Sequence, residues 1–145
     1  MLEVGNGGCT YDEYVAHFSL WSLLKSPLLI GCDVTKISNQ TLGILTNLEV
    51  IAVNQDSLGI SGYLVSKNGD AEVWGGPLTN GNVAVVLFNR GNDIKKITVQ
   101  FSDFKIRTGA IVRDLWKHET LGQFTSEFSA LVKPHAVVMV KLTPK

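Results

Sequence analysis

The chain has 145 residues, 45% of them apolar and 18% charged, and its thirteen basic and thirteen acidic side chains balance to zero net charge. That composition belongs to a packed globular protein and excludes a disordered one. No Lys/Arg cluster exceeds the pair Lys95-Lys96, which argues against nucleic acid or an anionic membrane as partner, and no apolar run reaches the ~18 residues of a membrane span.

The opening MLEV reads as the tail of a buried strand, GNGG as a tight loop, and TYDEY as the start of a helix. Thr10-x-x-Glu13 has the form of a capping box, in which the hydroxyl and the carboxylate each take one orphan N–H of the first turn. Behind it Tyr11, Tyr14, Val15, Phe18 and Trp21 fall on one helical stripe, which Ser26-Pro27 ends. PLLIGCDV is an apolar run without alternation, the pattern of a parallel strand buried on both faces. Ser38 or Asn39 caps a second helix through about Leu48, and EVIAVNQD is expected to be an extended or loop-like exit.

From Gly62 the rhythm changes. Asn68-Gly69 and Asn80-Gly81 are hairpin signals, because Asn-Gly accepts the two positive φ values of a type I′ turn. KKITVQF alternates with Ile97, Val99 and Phe101 on one side, and AIVRDLW, GQFTSEF and HAVVMVKL complete about seven strands spaced near ten residues apart. That cadence is an antiparallel sandwich or barrel. The expected fold class is therefore α/β plus all-β: a partial α/β unit over residues 1–60, then an antiparallel β domain over residues 61–145. One strand-helix-strand-helix stretch cannot close a parallel sheet by itself.

Candidate chemistry is sparse. His17, His118 and His135 share no metal-ligand spacing, so no metal is expected. Cys9 and Cys32 fit neither a zinc site nor a CxxC motif, and a disulfide between them is left open. Cys9 near a helix start could favour a thiolate, but packing is the simpler reading. GNGG before a helix could cradle an anion, yet it lacks either phosphate-loop spacing and reads first as a turn needing unusual φ. Glu3 and Asp33 are the acids beside candidate parallel-strand ends, where a pair of carboxylates could act in glycoside hydrolysis. Against that stands Asp33 as a loop cap and Glu3 as a surface charge. Trp74 and Trp116 could stack on a sugar, but both lie in alternating strands and read first as core. Asn39-Gln40-Thr41 is a glycosylation sequon, meaningful in a secretory setting.

With MLEVGNGGCTYDEYVAHFSLWSLLKSPLLIGCDV, VIAVNQDSLG, AEVWGGPL, VAVVLFNR and VRDLWKH in order, the chain resembles the plant-type α-galactosidases (melibiases) of glycoside hydrolase family 27 along essentially its whole length. The resemblance implies the C-terminal portion of a (β/α)8 barrel over residues 1–60 (the end of strand 7, helix 7, strand 8 and helix 8), followed by the antiparallel β-sandwich domain. It implies a full-length retaining enzyme that hydrolyses terminal α-galactosides, without a cofactor, from the secretory pathway (extracellular, cell wall or vacuole/lysosome), with homo-oligomerisation left open. Met1 would match the Met of the family's DPDML segment and be the one substrate-binding position carried over, as an apolar wall contact. Both catalytic Asp residues would lie upstream, so no catalytic residue is expected here and the 145 residues alone should be inactive. Asn39 is the expected glycosylation position. Cys9 stands where the family has Met, and Val15 and Thr35 where it has Arg. The alternatives are a non-catalytic carbohydrate-binding or structural β module, or the same portion of an α-N-acetylgalactosaminidase.

Overall fold

A computed structural model describes all residues 1–145. Three helices come first: α1 (Tyr11–Leu23), α2 (Asn39–Leu45) and α3 (Leu48–Asn54). Eight strands follow: β1 (Tyr63–Asn68), β2 (Ala71–Pro77), β3 (Val83–Asn89), β4 (Lys95–Gln100), β5 (Ala110–Asp114), β6 (Glu119–Phe124), β7 (Glu127–Val132) and β8 (Val137–Pro144). They form a six-stranded antiparallel sheet in the order β1-β2-β3-β8-β5-β6 and a two-stranded sheet of β4 and β7.

The capping box forms as the sequence implied. Thr10 Oγ1 accepts the Glu13 N–H at 3.3 Å, and the Glu13 carboxylate accepts the Thr10 N–H at 2.7 Å. The α1 stripe buries Tyr14, Val15 and Phe18, while Tyr11 stays exposed. The helix stops at Leu23, earlier than Ser26-Pro27, because Lys25 turns into the left-handed region at φ +59°.

Two sequence expectations fail in the helical part. PLLIGCDV forms no strand: its one backbone bond to the opening segment runs from Leu2 N to Leu29 O at 2.7 Å. A parallel strand needs a continuing ladder on a neighbour, and within these residues Leu29, Ile30 and Val34 are 58%, 49% and 59% exposed. EVIAVNQD is not an extended exit but lies largely in α3. Asn47 starts that helix by accepting the N–H groups of Glu49 and Val50 at 3.1 and 3.2 Å, and Val50 and Val53 then face inward. The single helix expected through Leu48 is thus two short ones, each with its own cap, Ser38 for α2 and Asn47 for α3.

The centre of the large sheet is buried on both faces, which explains why β3 reads as an unbroken apolar run in an antiparallel sheet. Val83, Val85 and Leu87 point into the sandwich, where they meet Ile97 and Val99 of β4, Phe128 and Val132 of β7, and Phe101. Ala84 and Val86, with Met139 of β8, point the other way, onto Leu2, Val4, Val15 and Phe18 of the helical part. One sheet therefore serves two cores.

The turns also differ in detail. Asn68 pairs with Ala71, so the β1-β2 loop is Gly69-Asp70, and Gly69 (φ +60°) takes the first central position. That is the glycine requirement of a type II′ turn. At the β2-β3 connection Asn80 and Gly81 do both adopt positive φ, +60° and +73°, within a short 3-10 turn at Thr79–Gly81.

Candidate functional site

The opening turn, the Gly31–Ser38 loop and the start of α2 form one rim. A Cβ on Gly31 would lie 2.6 Å from Leu2 O, and one on Gly5 would lie 2.8 Å from Thr41 Cγ2 and 3.1 Å from Cys32 Sγ. Both positions need glycine because the two segments touch there. Gly5, Gly7 and Gly8 all have φ near +90°, the reading of GNGG as a turn. The Gly7 N–H is used internally, donated to the Tyr14 hydroxyl at 2.6 Å.

Met1 stands at this rim, 79% exposed. Glu3 is exposed; its carboxylate accepts from Asn6 Nδ2 at 3.3 Å and its backbone N–H donates to His17 Nε2 at 3.1 Å. Asp33 caps its own loop. Its Oδ1 accepts the Thr35 hydroxyl at 2.6 Å and the Thr35 N–H at 3.0 Å, and Lys36 Nζ sits 3.7 Å from Oδ2. The Thr35 bonds hold this carboxyl below the usual carboxylate range. A general acid needs the opposite environment, an apolar site that raises the pKa. Glu3 and Asp33 are each absorbed by local turn bonds and do not pair.

The other sequence candidates are placed apart. His17 lies on α1, its ring tilted 51° against that of Trp21 with centroids 4.7 Å apart. His118 Nδ1 is 2.9 Å from Glu49 Oε1, and His135 Nε2 is 2.9 Å from Asn92 Oδ1. No three His, Cys, Asp or Glu side chains converge. Cys9 and Cys32 are not bonded to each other; Cys9 is exposed and Cys32 half-buried. Trp74 is half-buried against the helical part and donates Nε1–H to Glu72 at 2.9 Å; Trp116 is half-buried, donates to Ser19 Oγ at 2.9 Å and packs edge-on to Phe18. Both indoles are tied into packing, Trp116 just beyond the end of β5. Asn39 is the exposed first residue of α2, and the Thr41 of its sequon is nearly buried.

The strongest electrostatic cluster is one that sequence reasoning passed over. Arg113 of β5 grips Glu49 of α3 with Nε and Nη2, both at 2.7 Å, and His118 adds a third contact. Arg113 first, then His118, holds the Glu49 carboxyl at about 2 against the opposing effect of burial. Beside it Asn47 Nδ2 donates to Leu115 O at 3.1 Å, and the Asp56 carboxylate accepts the N–H and hydroxyl of Thr79 at 3.0 and 2.8 Å. These bonds join helices to sandwich; they carry no nucleophile and no raised acid. The available sequence signal was Asn47 three residues before Val50, a cap before an apolar helical face.

Comparison with known proteins agrees with this division of the chain. Residues 1–56 match the family model described as alpha galactosidase A, and residues 68–142 match the one described as the alpha galactosidase C-terminal beta sandwich domain. Alpha-galactosidase 2 of Arabidopsis thaliana is 52% identical over 99% of this chain, and the alpha-galactosidase of Coffea arabica is 50% identical over all of it. The chain spans 37% and 39% of those two proteins' lengths. The crystal structure of alpha-galactosidase I from Mortierella vinacea superposes with a TM-score of 0.95 and 39% identity, covering 100% of this chain and 38% of that one. A β-L-arabinopyranosidase from Geobacillus stearothermophilus superposes with a TM-score of 0.89 at 31% identity, over 94% of this chain and 31% of that one.

Proposed function

This chain belongs to the α-galactosidase (melibiase) family of glycoside hydrolase family 27, and we propose that it forms the C-terminal part of a retaining enzyme that hydrolyses terminal α-galactosides. The observation that carries the reading is the match of both halves in order, the barrel-type model on residues 1–56 and the sandwich model on residues 68–142. In this reading the 145 residues supply the end of the barrel and the domain on which it rests. The two catalytic carboxylates come from outside them. The local bonding of Glu3 and Asp33 supports this, since neither carboxylate is available to act across a cleft. Met1 would stand in the galactoside pocket as an apolar wall, a role its exposure at the rim leaves room for.

The test is direct. The 145-residue chain incubated with a chromogenic α-galactoside should release nothing above buffer, while a protein carrying this chain and the upstream barrel should turn the substrate over. Release by the chain alone that disappears in Asp33→Asn would overturn the assignment.

A secretory destination with a glycan on Asn39 belongs to the same proposal, supported by the exposure of Asn39 beside its sequon. Enzymatic deglycosylation of the secreted protein should lower its mass, and Asn39→Gln should abolish that change. A mass unaffected by deglycosylation would remove the glycan from the proposal.

A further inference from the structure

The segment Met1–Val4 is held from outside by few polar contacts. Leu2 N–H reaches Leu29 O, and the Glu3 N–H is donated to His17 Nε2 at 3.1 Å. An imidazole can accept that bond only while Nε2 carries no proton. The ring packs at a 51° tilt against Trp21 and is half-buried on α1. Protonation would set an N–H against the Glu3 N–H, donor against donor.

The charged groups facing His17 are few. Glu3 comes from the opening segment, and Glu13 lies one turn back on α1. Arg90 and His135 face it across a cavity of about 420 Å³. Glu13 is committed to the Thr10 cap. Burial pushes the His17 imidazole below its ordinary value of 6.5, and Glu3 opposes that effect. The neutral ring is thus the form the fold favours.

We propose that His17 is a positioning residue for the Glu3 backbone: its neutral imidazole fastens Glu3 to α1, and its protonation frees that amide while Leu2 and Val4 stay packed in the core. The contribution is complete above the ordinary imidazole value and is lost as pH falls through the lower folded value. Its consequence for galactoside binding rests on the proposed glycosidase function, in which Met1 walls the pocket; the latch itself does not.

The experiment follows the His17 ring by NMR titration together with hydrogen exchange of the Glu3 amide, with the amides of β3 as a control for global unfolding. Protection of Glu3 should fall about tenfold as pH drops from about 7 to about 5, in step with the ring and with β3 unchanged. In His17→Gln, whose amide oxygen accepts without titrating, Glu3 protection should stay flat over that range. Ring titration without loss of Glu3 protection, or an equal loss in the Gln variant, would overturn the latch. In the complete enzyme KM should rise in acid for the wild type and not for His17→Gln. Loss of protection with an unchanged KM would support the latch and overturn the pocket-wall role of Met1.

Discussion

Glu49 and Arg113, 64 residues apart in sequence, meet in a two-pronged ion pair with both N–O distances at 2.7 Å. One partner sits at the start of α3 and the other in β5, so the pair ties the helical part to the sandwich. Paired geometry of this kind exceeds an ordinary surface ion pair, because the planar guanidinium matches the carboxylate with two parallel bonds. Arg113 also carries a raised pKa from the same contact.

That pair makes stability depend on acid. Glu49 has its folded pKa depressed from 4.5 to about 2, so its contribution is fully present above pH 4.5 and is lost as pH falls toward about 2. After screening at this partly exposed site the loss should be about 1–2 kcal/mol. Glu49→Gln should remove it, leaving a flatter stability profile between about pH 5 and about pH 2 by denaturant unfolding. Parallel profiles in the two proteins would refute the linkage.

Asn47 does two jobs with one amide. Its oxygen caps α3 and its nitrogen satisfies Leu115 O in a buried position. Asn47→Ala strands both sets of groups and should cost about 2–3 kcal/mol. Asn47→Asp retains the cap but loses the donor, so it should recover only part of that loss. Full recovery by Asp would show that the Leu115 bond contributes nothing.

Two glycines should respond in opposite directions. A Cβ on Gly76 would lie 2.7 Å from Gly62 Cα, backbone against backbone. Gly76→Ala must therefore push β2 away from the connection that precedes β1, at about 1–3 kcal/mol. Gly43 lies inside α2 with nothing within 4 Å of the added methyl. Gly43→Ala should stabilise by about 0.5–1 kcal/mol. Thermal melts of the two variants should straddle the wild type.

Glu72 is a carboxylate only 2% exposed. Burial pushes its carboxyl up, but the Trp74 indole N–H, Lys67 at 3.2 Å and Arg90 at 3.5 Å outweigh that and leave it lowered. Glu72→Ala leaves the indole donor and two cations without their acceptor and should cost about 2–3 kcal/mol. Trp74→Phe should lose less, about 1 kcal/mol of polar pairing, because both cations keep their partner. Equal losses would show that the indole bond, not the cations, holds the carboxylate.

Local chemistry was legible where it acts over a few residues. Thr10 and Glu13 announced α1, Ser38 announced α2, and the alternation at Ile97 and Val99 placed β4. At α3 the β-branched Val50, Ile51 and Val53 argued against a helix, and local propensity lost to the Asn47 cap and the grip of Arg113. The β1-β2 turn slipped one residue from Asn68-Gly69 because strand register, fixed by pairing Asn68 with Ala71, decides which residues turn.

The candidate site divides in the same way. The sequence by itself determined the family resemblance, the glycine-rich opening turn and the presence of acids at both sides of the rim, since these rest on residue identity and short spacing. Only the tertiary structure decided that His17 accepts the Glu3 N–H. The structure alone also decided that β3 serves two cores and that Glu49 finds Arg113. Each of those depends on which surfaces meet after folding, and the free energy of such meetings is set by burial and bond geometry between segments that the linear order leaves far apart.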